Sequence, residues 1–392
     1  MTKSFQPPKR LLMGPGPSDV HHRVLSAMAM PTLGHLDPAF VGMMDQVKSM
    51  LQEAFFTANA LTLPISGPGS AGMEACFVNL VEPGDTVVVC VNGVFGGRMA
   101  ENVERCGAKA VVVEDAWGNP VDPHKVEAAL KANPGAKALA FVHAETSTGV
   151  ESPAGDLCAL AREHGALSIV DTVTSLAGIP VLVDHWGADA VYSGSQKCLS
   201  CPPGLSPLTF SDRAVETLKS RKTKVQSWFL DLTLLTAYWG GGAKRTYHHT
   251  APVNALYGLH ESLVMLHEEG IEHSWTRHAM MHQALRAGLE AMGLSLLVAE
   301  GARLPQLNAV VVPDGIDEAQ VRSALLNGHG LEIGAGLGAL AGKVWRIGLM
   351  GQSATPLHVT TCLKALESAL VAQGYGLSAG AGVAAANRLL LV

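Results

Sequence analysis

Two polar residues, Asp171 and Lys197, each follow an apolar run that is typical of a β-strand. Residues 167–170 lead to Asp171, and residues 188–192 lead to the turn Ser193-Gly194-Ser195-Gln196-Lys197. Because the carboxyl ends of parallel strands line the ligand crevice of an α/β sheet, we expect both side chains in one cleft. A lysine that can form a Schiff base and a carboxylate that can pair with a pyridinium nitrogen are what pyridoxal 5′-phosphate requires. This cofactor is our working hypothesis.

A glycine-rich turn, residues 66–72, lies between a strand pattern and the start of a helix pattern. One interpretation is an ordinary tight turn capped by Ser70. The other is a phosphate cradle, because glycines allow close approach and a helix N-terminus offers free N–H groups and the positive end of a dipole. The glycine spacing does not match the dinucleotide-binding fingerprint. The residues alone leave both interpretations open.

Short apolar runs at 87–91, 110–113 and 138–142 alternate with helical patterns, which predicts βαβ units and a mostly parallel sheet. The run that ends at residue 142 opens into a segment rich in hydroxyl groups, residues 143–150. Together with Asp171 and Lys197, this makes three consecutive strands with polar ends. We therefore predict an α/β fold whose ligand cleft lies at one edge of the sheet.

Four further features allow more than one interpretation. Phe95, at a strand exit, is either a core residue or a ring that stacks on the cofactor. Arg346, in an apolar strand, is either a salt-bridge partner or a clamp for a substrate carboxylate. The Cys198-x-x-Cys201 motif lacks a second ligand pair, which favours structural thiols over metal or redox chemistry. The basic, hydroxyl-bearing segment 221–254, which contains adjacent histidines, fits an anion site better than a metal site.

The 392 residues exceed one typical domain. We predict an N-terminal arm (1–40), a large cofactor-binding domain (41–275) and a smaller C-terminal α+β domain (276–392). A long helix from residue 253 towards residue 289 would bridge the domains. The Ala- and Gly-rich tail from residue 377 is expected to be loosely held.

Composition excludes several classes of function. The net charge of −6 is spread without runs, which argues against nucleic acid as a partner. No apolar segment is long enough to span a membrane, and the N-terminus has no apolar signal region. The seven scattered cysteines are typical of reduced, buried thiols, so we expect a cytoplasmic protein.

Taken in order, the motifs resemble those of the class V pyridoxal-phosphate aminotransferases, and most of all the alanine–glyoxylate/serine–pyruvate group. The likeness extends over roughly residues 10–372. The motifs that carry it are Gly14-Pro15-Gly16-Pro17-Ser18, Ser66-Gly67-Pro68-Gly69, Ser147-Thr148-Gly149-Val150, Asp171-Thr172-Val173, Ser193-Gly194-Ser195-Gln196-Lys197, Tyr247-His248-His249-Thr250 and Arg346-Ile347-Gly348.

The resemblance implies a fold-type I enzyme with a mostly parallel seven-stranded sheet, acting as a homodimer with shared active sites. It also implies a role for each matching residue. These are Lys197 as Schiff-base lysine, Asp171 as pyridinium partner, Gly69, Ser70 and Gln196 as phosphate cradle, Tyr247 and Thr250 as phosphate ligands from the neighbouring subunit, Val173 and Phe95 against the ring, Thr146 near ring and substrate, Arg346 as carboxylate clamp, and Gly16 near the substrate.

Three positions depart from the family pattern. Phe95 stands in place of a tryptophan, Pro68 in place of a serine and Ser70 in place of a histidine. The implied activity is ping-pong transfer of an amino group from alanine or serine to glyoxylate or pyruvate, which would belong to glyoxylate metabolism. Alternatives are a class V transaminase for pyridoxamine, an aminosulfonate or an aminophosphonate, a cysteine desulfurase, or a scaffold without cofactor.

Overall fold

The computed structural model describes residues 2–240 and 245–390. Gly241, Gly242 and Lys244, which belong to the predicted anion-binding segment, lie outside these residues. The strands are β1 (Leu11–Leu12), β2 (Leu61–Ser66), β3 (Thr86–Val91), β4 (Lys109–Glu114), β5 (Ala138–Val142), β6 (Ala144–Glu145), β7 (Val150–Glu151), β8 (Leu167–Asp171), β9 (Ala190–Tyr192), β10 (Leu205–Phe210), β11 (Leu307–Val311), β12 (Leu331–Glu332), β13 (Gly334–Ala335) and β14 (Val344–Gly348).

The α-helices surround these strands, and short 3₁₀ helices occur at Glu300–Ala302, Gly338–Leu340 and Gly351–Ser353. The α-helices are α1 (His22–Met28), α2 (Pro38–Ala54), α3 (Gly69–Leu80), α4 (Val94–Arg105), α5 (Pro123–Ala132), α6 (Ala154–Glu163), α7 (Val183–Trp186), α8 (Asp212–Lys219), α9 (Leu232–Trp239), α10 (Val253–Glu269), α11 (Ile271–Ala291), α12 (Glu318–His329), α13 (Pro356–Ala372) and α14 (Ala381–Leu390).

A seven-stranded sheet in the order β2-β10-β9-β8-β5-β3-β4 forms the centre of the molecule. Strand β10 runs antiparallel to both of its neighbours, and the other pairs are parallel. The apolar run at Val87, Val88 and Val89 is completely buried, as expected for a strand covered on both faces. The predicted α/β class with a mostly parallel sheet is confirmed.

The sheet order brings together the three strands whose polar ends the sequence indicated. Strands β9, β8 and β5 are neighbours, and Asp171 pairs with both Val142 and Tyr192. Because all three strands are parallel, their carboxyl ends meet at one edge. The segment after β5 folds into a short hairpin of β6 and β7, which holds its hydroxyl groups at the same edge.

A second, smaller core lies towards the C-terminus. Strands β11, β14 and β13 form a three-stranded antiparallel sheet, which packs with α11, α12 and α13. Its apolar interior includes Trp345, Ile347, Leu363 and Leu366. Strand β14 carries Arg346, so this second core determines where that cation lies.

The N-terminal segment lies as an extended arm between the two cores. Strand β1 pairs in parallel with β12, and the backbone N–H of Gly348 donates to the carbonyl of Met13 at 2.7 Å. On the other side, the N–H of Ser18 donates to the carbonyl of Gln196 at 3.0 Å. The arm therefore connects the small core to the segment that carries Lys197.

The structure differs from two expectations about helices. The predicted long helix after residue 253 is two helices, α10 and α11, separated at Gly270, whose φ of 85° cannot belong to a helix. The tail, expected to be loosely held, forms α14 over Ala381–Leu390 and packs against α11 and α13. Small residues allow this close packing, and Ala386 is completely buried.

No helix in the described ranges is long and apolar enough to cross a membrane. All seven cysteines are free and buried, Cys198 and Cys201 included. Within residues 2–240 and 245–390, no three His, Cys, Asp or Glu side chains are grouped as metal ligands.

Candidate active site

Asp171 ends the central strand β8 with its carboxylate completely enclosed. Oδ2 accepts a hydrogen bond from the Tyr192 hydroxyl at 2.7 Å, and Oδ1 accepts one from the Val173 N–H at 2.8 Å. Burial outweighs these bonds and raises the pKa of Asp171 to about 7. A carboxyl group held this way binds a cationic N–H strongly, because a positive charge beside it restores its ionised form.

Lys197 lies in the turn after β9 and is also almost fully buried. Its Nζ donates to the carbonyl of Pro15 in the arm. Burial, together with the positive charge of Arg346, lowers the pKa of Lys197 to about 8. A lysine with a lowered pKa has a substantial neutral fraction near pH 7, which is the nucleophilic form of an amine.

Residue 16 lies so close to Lys197 that any side chain larger than that of glycine would collide with the lysine. A Cβ added at Gly16 would lie 2.6 Å from Lys197 Nζ, and the φ of 98° at Gly16 is a conformation that favours glycine. The arm therefore approaches the lysine as closely as a backbone can.

The glycine-rich turn lies at the start of α3. The N-cap residue is Pro68, which supplies no side-chain hydrogen bond to the helix, and Ser70 lies inside the first turn. The interpretation of a turn capped by Ser70 therefore does not hold. The N–H groups of Gly69 and Ser70 have no acceptor within the part of the chain that the structure describes. A free helix N-terminus of this kind suits an anion.

Val173 borders this turn, and Gln196 lies beside Gly194. A Cβ at Gly69 would lie 3.0 Å from Val173 Cγ2, and one at Gly194 would lie 2.9 Å from Gln196 Oε1. Gln196 Oε1 is buried without a partner among residues 2–240 and 245–390. A buried amide end without a partner is uncommon in a folded protein, and it indicates a group that a ligand completes.

Thr146 connects the loop after β6 to both cores. Its hydroxyl lies 2.6 Å from that of Thr174, and its carbonyl accepts a hydrogen bond from Arg346 Nη1 at 3.2 Å. Arg346 Nε donates to the carbonyl of Ala335 at 2.7 Å. These bonds orient the guanidinium between the hairpin of the large core and strand β14.

Arg346 is a buried cation without a carboxylate partner in the described residues, with only 7% of its surface exposed. Burial lowers its pKa to about 10. Of the two interpretations from sequence, the salt-bridge partner is therefore wrong for this chain. Buried arginines are rare unless they are paired, so this geometry favours a carboxylate supplied by a ligand.

Phe95 lies half-buried in the first turn of α4. Its N–H donates to Glu145 Oε2 at 3.1 Å, and Arg98 lies over its ring at 4.9 Å from the centroid. Glu145 Oε1 also accepts bonds from the Ser147 N–H and hydroxyl, at 3.0 and 2.6 Å. Glu145 thereby caps α4, whose own N-cap, Gly93, has no side chain.

Tyr247 and Thr250 make no hydrogen bond to the other site residues within the part of the chain that the structure describes. Both are exposed, and the Tyr247 ring packs on His35 with centroids 5.2 Å apart. Residues that line a site in their own subunit would be partly enclosed by it. Their exposure is what a role in a second copy of the chain requires.

Sequence reasoning missed two residues of this site. Glu145 was only one member of a hydroxyl-rich loop, and Tyr192 only the last residue of an apolar run. The signal for Tyr192 was its strand register beside Asp171, since neighbouring parallel strands place residues of equal depth together. The burial of Glu145 had no comparable signal in the sequence.

Comparison with known proteins identifies the family of this chain. The sequence profile of the class V aminotransferases matches residues 21–350. Alanine–glyoxylate aminotransferase from Callithrix jacchus is 42% identical over 372 residues, which cover 94% of this chain and 90% of that protein.

Solved structures are equally similar. Alanine–glyoxylate aminotransferase from Nostoc sp. is 47% identical with a TM-score of 0.92, over 94% of this chain and 97% of that one. Ureidoglycine–glyoxylate aminotransferase from Bacillus subtilis is 38% identical with a TM-score of 0.97, over 100% of both chains. The chain is an aminotransferase, and it belongs to the class V aminotransferase family.

Proposed function

We propose that this aminotransferase binds pyridoxal 5′-phosphate between Asp171 and Lys197. We further propose that it moves an amino group from alanine or serine to glyoxylate or pyruvate. The observation that carries the proposal is that a buried carboxylate, a buried lysine of lowered pKa and a buried arginine lie close enough to act on one another's charge, and that the arginine has no carboxylate partner among the described residues. Two of the three similar proteins described above have both alanine and glyoxylate in their names, which supports this choice of substrates.

The residues present fit this cofactor. The free N–H groups of Gly69 and Ser70 and the Nε2 amide group of Gln196 would hold the phosphate as hydrogen-bond donors. Val173 would pack against one face of the ring, and Phe95 would stack on the other. When bound, the cofactor supplies an aldehyde carbon that exchanges amines and a ring that takes up negative charge.

Lys197 moves the proton in the proposed reaction. Its amine would hold the cofactor's aldehyde carbon covalently in the resting enzyme. When free, the same amine would act on the substrate's α-proton, first as general base and then as general acid. A pKa of about 8 places this amine close to neutral pH, where both roles are efficient.

Asp171 holds the ring nitrogen in its protonated form. Its carboxylate, oriented by Tyr192 and by the Val173 N–H, would pair with that N–H at the base of the cleft. The positive charge on the nitrogen makes the ring an effective acceptor of electrons. Loss of the carboxylate would therefore slow proton removal more than it weakens binding.

Arg346 binds and orients the substrate carboxylate. Its Nε and one Nη1 hydrogen are used by the carbonyls of Ala335 and Thr146, which leaves the remaining N–H groups of the fork for two parallel bonds to a carboxylate. The carbonyl of Thr146 accepts from Arg346, so its hydroxyl would lie near the same carboxylate.

The homodimer and the cytoplasmic location belong to the same proposal. Tyr247 and Thr250 would complete the phosphate site of a second copy, which their exposure supports. Seven buried free thiols support a reducing compartment.

A panel of amino donors tests the proposal. Purified holoenzyme is assayed with alanine, serine, cysteine, pyridoxamine, an aminosulfonate and an aminophosphonate, each with glyoxylate and with pyruvate. We expect the highest kcat/KM for alanine or serine with glyoxylate, and parallel double-reciprocal lines, because the two half-reactions alternate. A preference for pyridoxamine, a sulfonate or a phosphonate would contradict the proposed donor, and sulfide release from cysteine would indicate a desulfurase.

A second candidate donor is ureidoglycine. It follows from the Bacillus subtilis structure, which this chain matches along its whole length. Addition of (S)-ureidoglycine to the donor panel decides between the two, since a kcat/KM that exceeds the value for alanine would favour it.

A further inference from the structure

The adjacent histidines His248 and His249, which the proposed function leaves unused, connect two parts of the site. His249 Nε2 lies 2.8 Å from the hydroxyl of Ser66, and His249 Nδ1 lies 2.8 Å from His248 Nδ1. Ser66 is the last residue of β2 and directly precedes the glycine turn with the free N–H groups. The histidines stand between Tyr247 and Thr250. The His249 imidazole therefore links the Tyr247–Thr250 loop, which is proposed to reach a second copy of the chain, to the glycine-rich turn. We call this turn the phosphate turn, because it is proposed to bind the phosphate.

The two histidines share one hydrogen. Because the two Nδ1 atoms face each other at 2.8 Å, one must carry a hydrogen and the other must accept it. Burial, with a contribution from His248, lowers the pKa of His249 to about 4. Both nitrogens of His249 are occupied by these bonds, which leaves this ring no lone pair for a metal. His248 Nε2 is buried without a partner among the described residues.

An aromatic cluster holds the bridge in place. The indole of Trp228 stacks on His248 with centroids 4.5 Å apart and planes 10° from parallel. Phe229 and Tyr238 lie edge-on to His249, with centroids 5.1 and 5.8 Å away. His248 is 6% exposed, whereas Ser66 and His249 are partly buried.

The phosphate turn needs such support. Pro68 offers neither an N–H nor a hydroxyl, so anion binding depends on the backbone N–H groups of Gly69 and Ser70. Backbone donors cannot adjust independently of the chain, so their direction depends on how strand β2 ends. The backbone of Ser66 pairs with Leu205 of β10, and its hydroxyl adds the bond to His249 at this end.

We propose that His249 is a positioning residue for phosphate binding. It holds the end of β2 and the loop of Tyr247 and Thr250 in one fixed arrangement through the bond to Ser66. The inference rests on the proposed cofactor and deepens it, since it names the group that aligns the phosphate turn.

The test measures ligand affinity of the full-length apoenzyme rather than activity. Dissociation constants for pyridoxal 5′-phosphate and for pyridoxal, which lacks the phosphate, are determined by quenching of tryptophan fluorescence. The variants are His249→Phe, which keeps a ring without hydrogen bonds, His249→Gln, which can still bond to Ser66, Ser66→Ala, and the double variant Ser66→Ala/His249→Phe.

We expect His249→Phe to weaken binding of pyridoxal 5′-phosphate by about tenfold, the effect of one lost hydrogen bond. Its affinity for pyridoxal should be unchanged, because only the phosphate site is misaligned. Ser66→Ala should have a similar effect. The double variant should lose little more than either single one, since both remove the same bond. His249→Gln should recover most of the affinity.

Three results would overturn the inference. They are unchanged phosphate-ligand affinity in His249→Phe, equal losses for both ligands, and additive losses in the double variant. If His249→Phe does not fold, Ser66→Ala with the same pair of ligands decides alone. Failure of the wild-type apoenzyme to bind pyridoxal 5′-phosphate would contradict the proposed cofactor itself, so the two failures are distinguishable.

Discussion

At the scale of single residues, burial determines the chemistry of this site. Asp171 and Lys197 have pKa values near 7 and 8, respectively, because both lie in surroundings that disfavour charge. Arg346 keeps its charge without a carboxylate partner in the described part of the chain. Such groups destabilise an empty cleft, and ligands of opposite charge relieve the cost. The residues are thus suited to binding a cationic ring nitrogen, an aldehyde and a carboxylate.

The first prediction concerns Lys197. Lys197→Ala should lower kcat by about 10⁴-fold or more, because the covalent link and the proton carrier are lost together. Borohydride reduction followed by mass spectrometry should attach the cofactor at residue 197 in the wild type and not in the variant. Lys219→Ala, at an exposed position on α8, is the control. Full activity in Lys197→Ala would end the assignment of this residue.

The second prediction concerns Arg346. Arg346→Lys should raise KM for the amino acid by about tenfold or more, because a point charge replaces a planar fork that makes two parallel bonds. Steady-state kinetics measure the KM for the amino acid. Pyridoxamine, an amine that lacks the carboxylate, is assayed in parallel for comparison. Arg322→Lys, on the surface of α12, is the matched control. An unchanged KM would remove Arg346 from the clamp role.

At the scale of elements, close packing of small residues decides which segments are ordered. The C-terminal helix α14 crosses α11 where Gly288 and Gly382 meet, and a Cβ on Gly288 would lie 2.9 Å from the Gly382 carbonyl and would collide with Leu363. An Ala- and Gly-rich segment looks unstructured by composition, yet here its small side chains are what permits docking.

The third prediction tests this docking. Gly288→Val should release α14 and lower the free energy of unfolding by about 1–3 kcal/mol, because the added side chain overpacks the crossing. Hydrogen exchange of the amides in residues 381–390 should then rise sharply. Gly328→Ala, at a helical position where a Cβ meets nothing within 4 Å, should leave that exchange unchanged. Equal protection in both variants would refute the role of the crossing.

At the scale of the whole molecule, α11 connects the small core to the segment beside the lysine loop. His278 on α11 donates from Nδ1 to the Ser274 carbonyl at 2.6 Å and accepts at Nε2 from the Gly351 N–H at 2.9 Å. The accepted bond requires a neutral ring. Burial lowers the pKa of His278 to about 4.

The fourth prediction follows from this neutral histidine. Between about pH 6.5 and pH 4 the unfolded chain binds a proton at residue 278 that the folded chain cannot, so stability must fall as the pH falls. The contribution is about 1.4 kcal/mol per pH unit. His278→Gln should reduce the slope of unfolding free energy against pH in this window, measured by urea titration. His329→Gln, exposed on α12, should keep the wild-type slope, and an unchanged slope in His278→Gln would refute the prediction.

Much of this protein could be predicted from its sequence, because the relevant signals are local. The strand patterns before Asp171 and Lys197 were sufficient to predict that both residues lie at one sheet edge. The alternation of apolar runs with helical patterns was sufficient to predict a mostly parallel sheet. The break at Gly270 was missed because the apolar pattern continues across it, and one glycine in a helical pattern is a weak signal.

What the sequence by itself determined is the type of chemistry: a lysine, an acid and an arginine at strand positions, with glycines where a backbone must approach a ligand. Only the tertiary structure decided which of these groups lack protein partners. Arg346 proved to have no carboxylate and Gln196 no partner for its amide oxygen within the described residues, while Glu145 and His249 proved to be structural bridges. Partners such as Ser66 and His249 are 183 positions apart, and pairing over such a distance depends on how the chain folds back on itself.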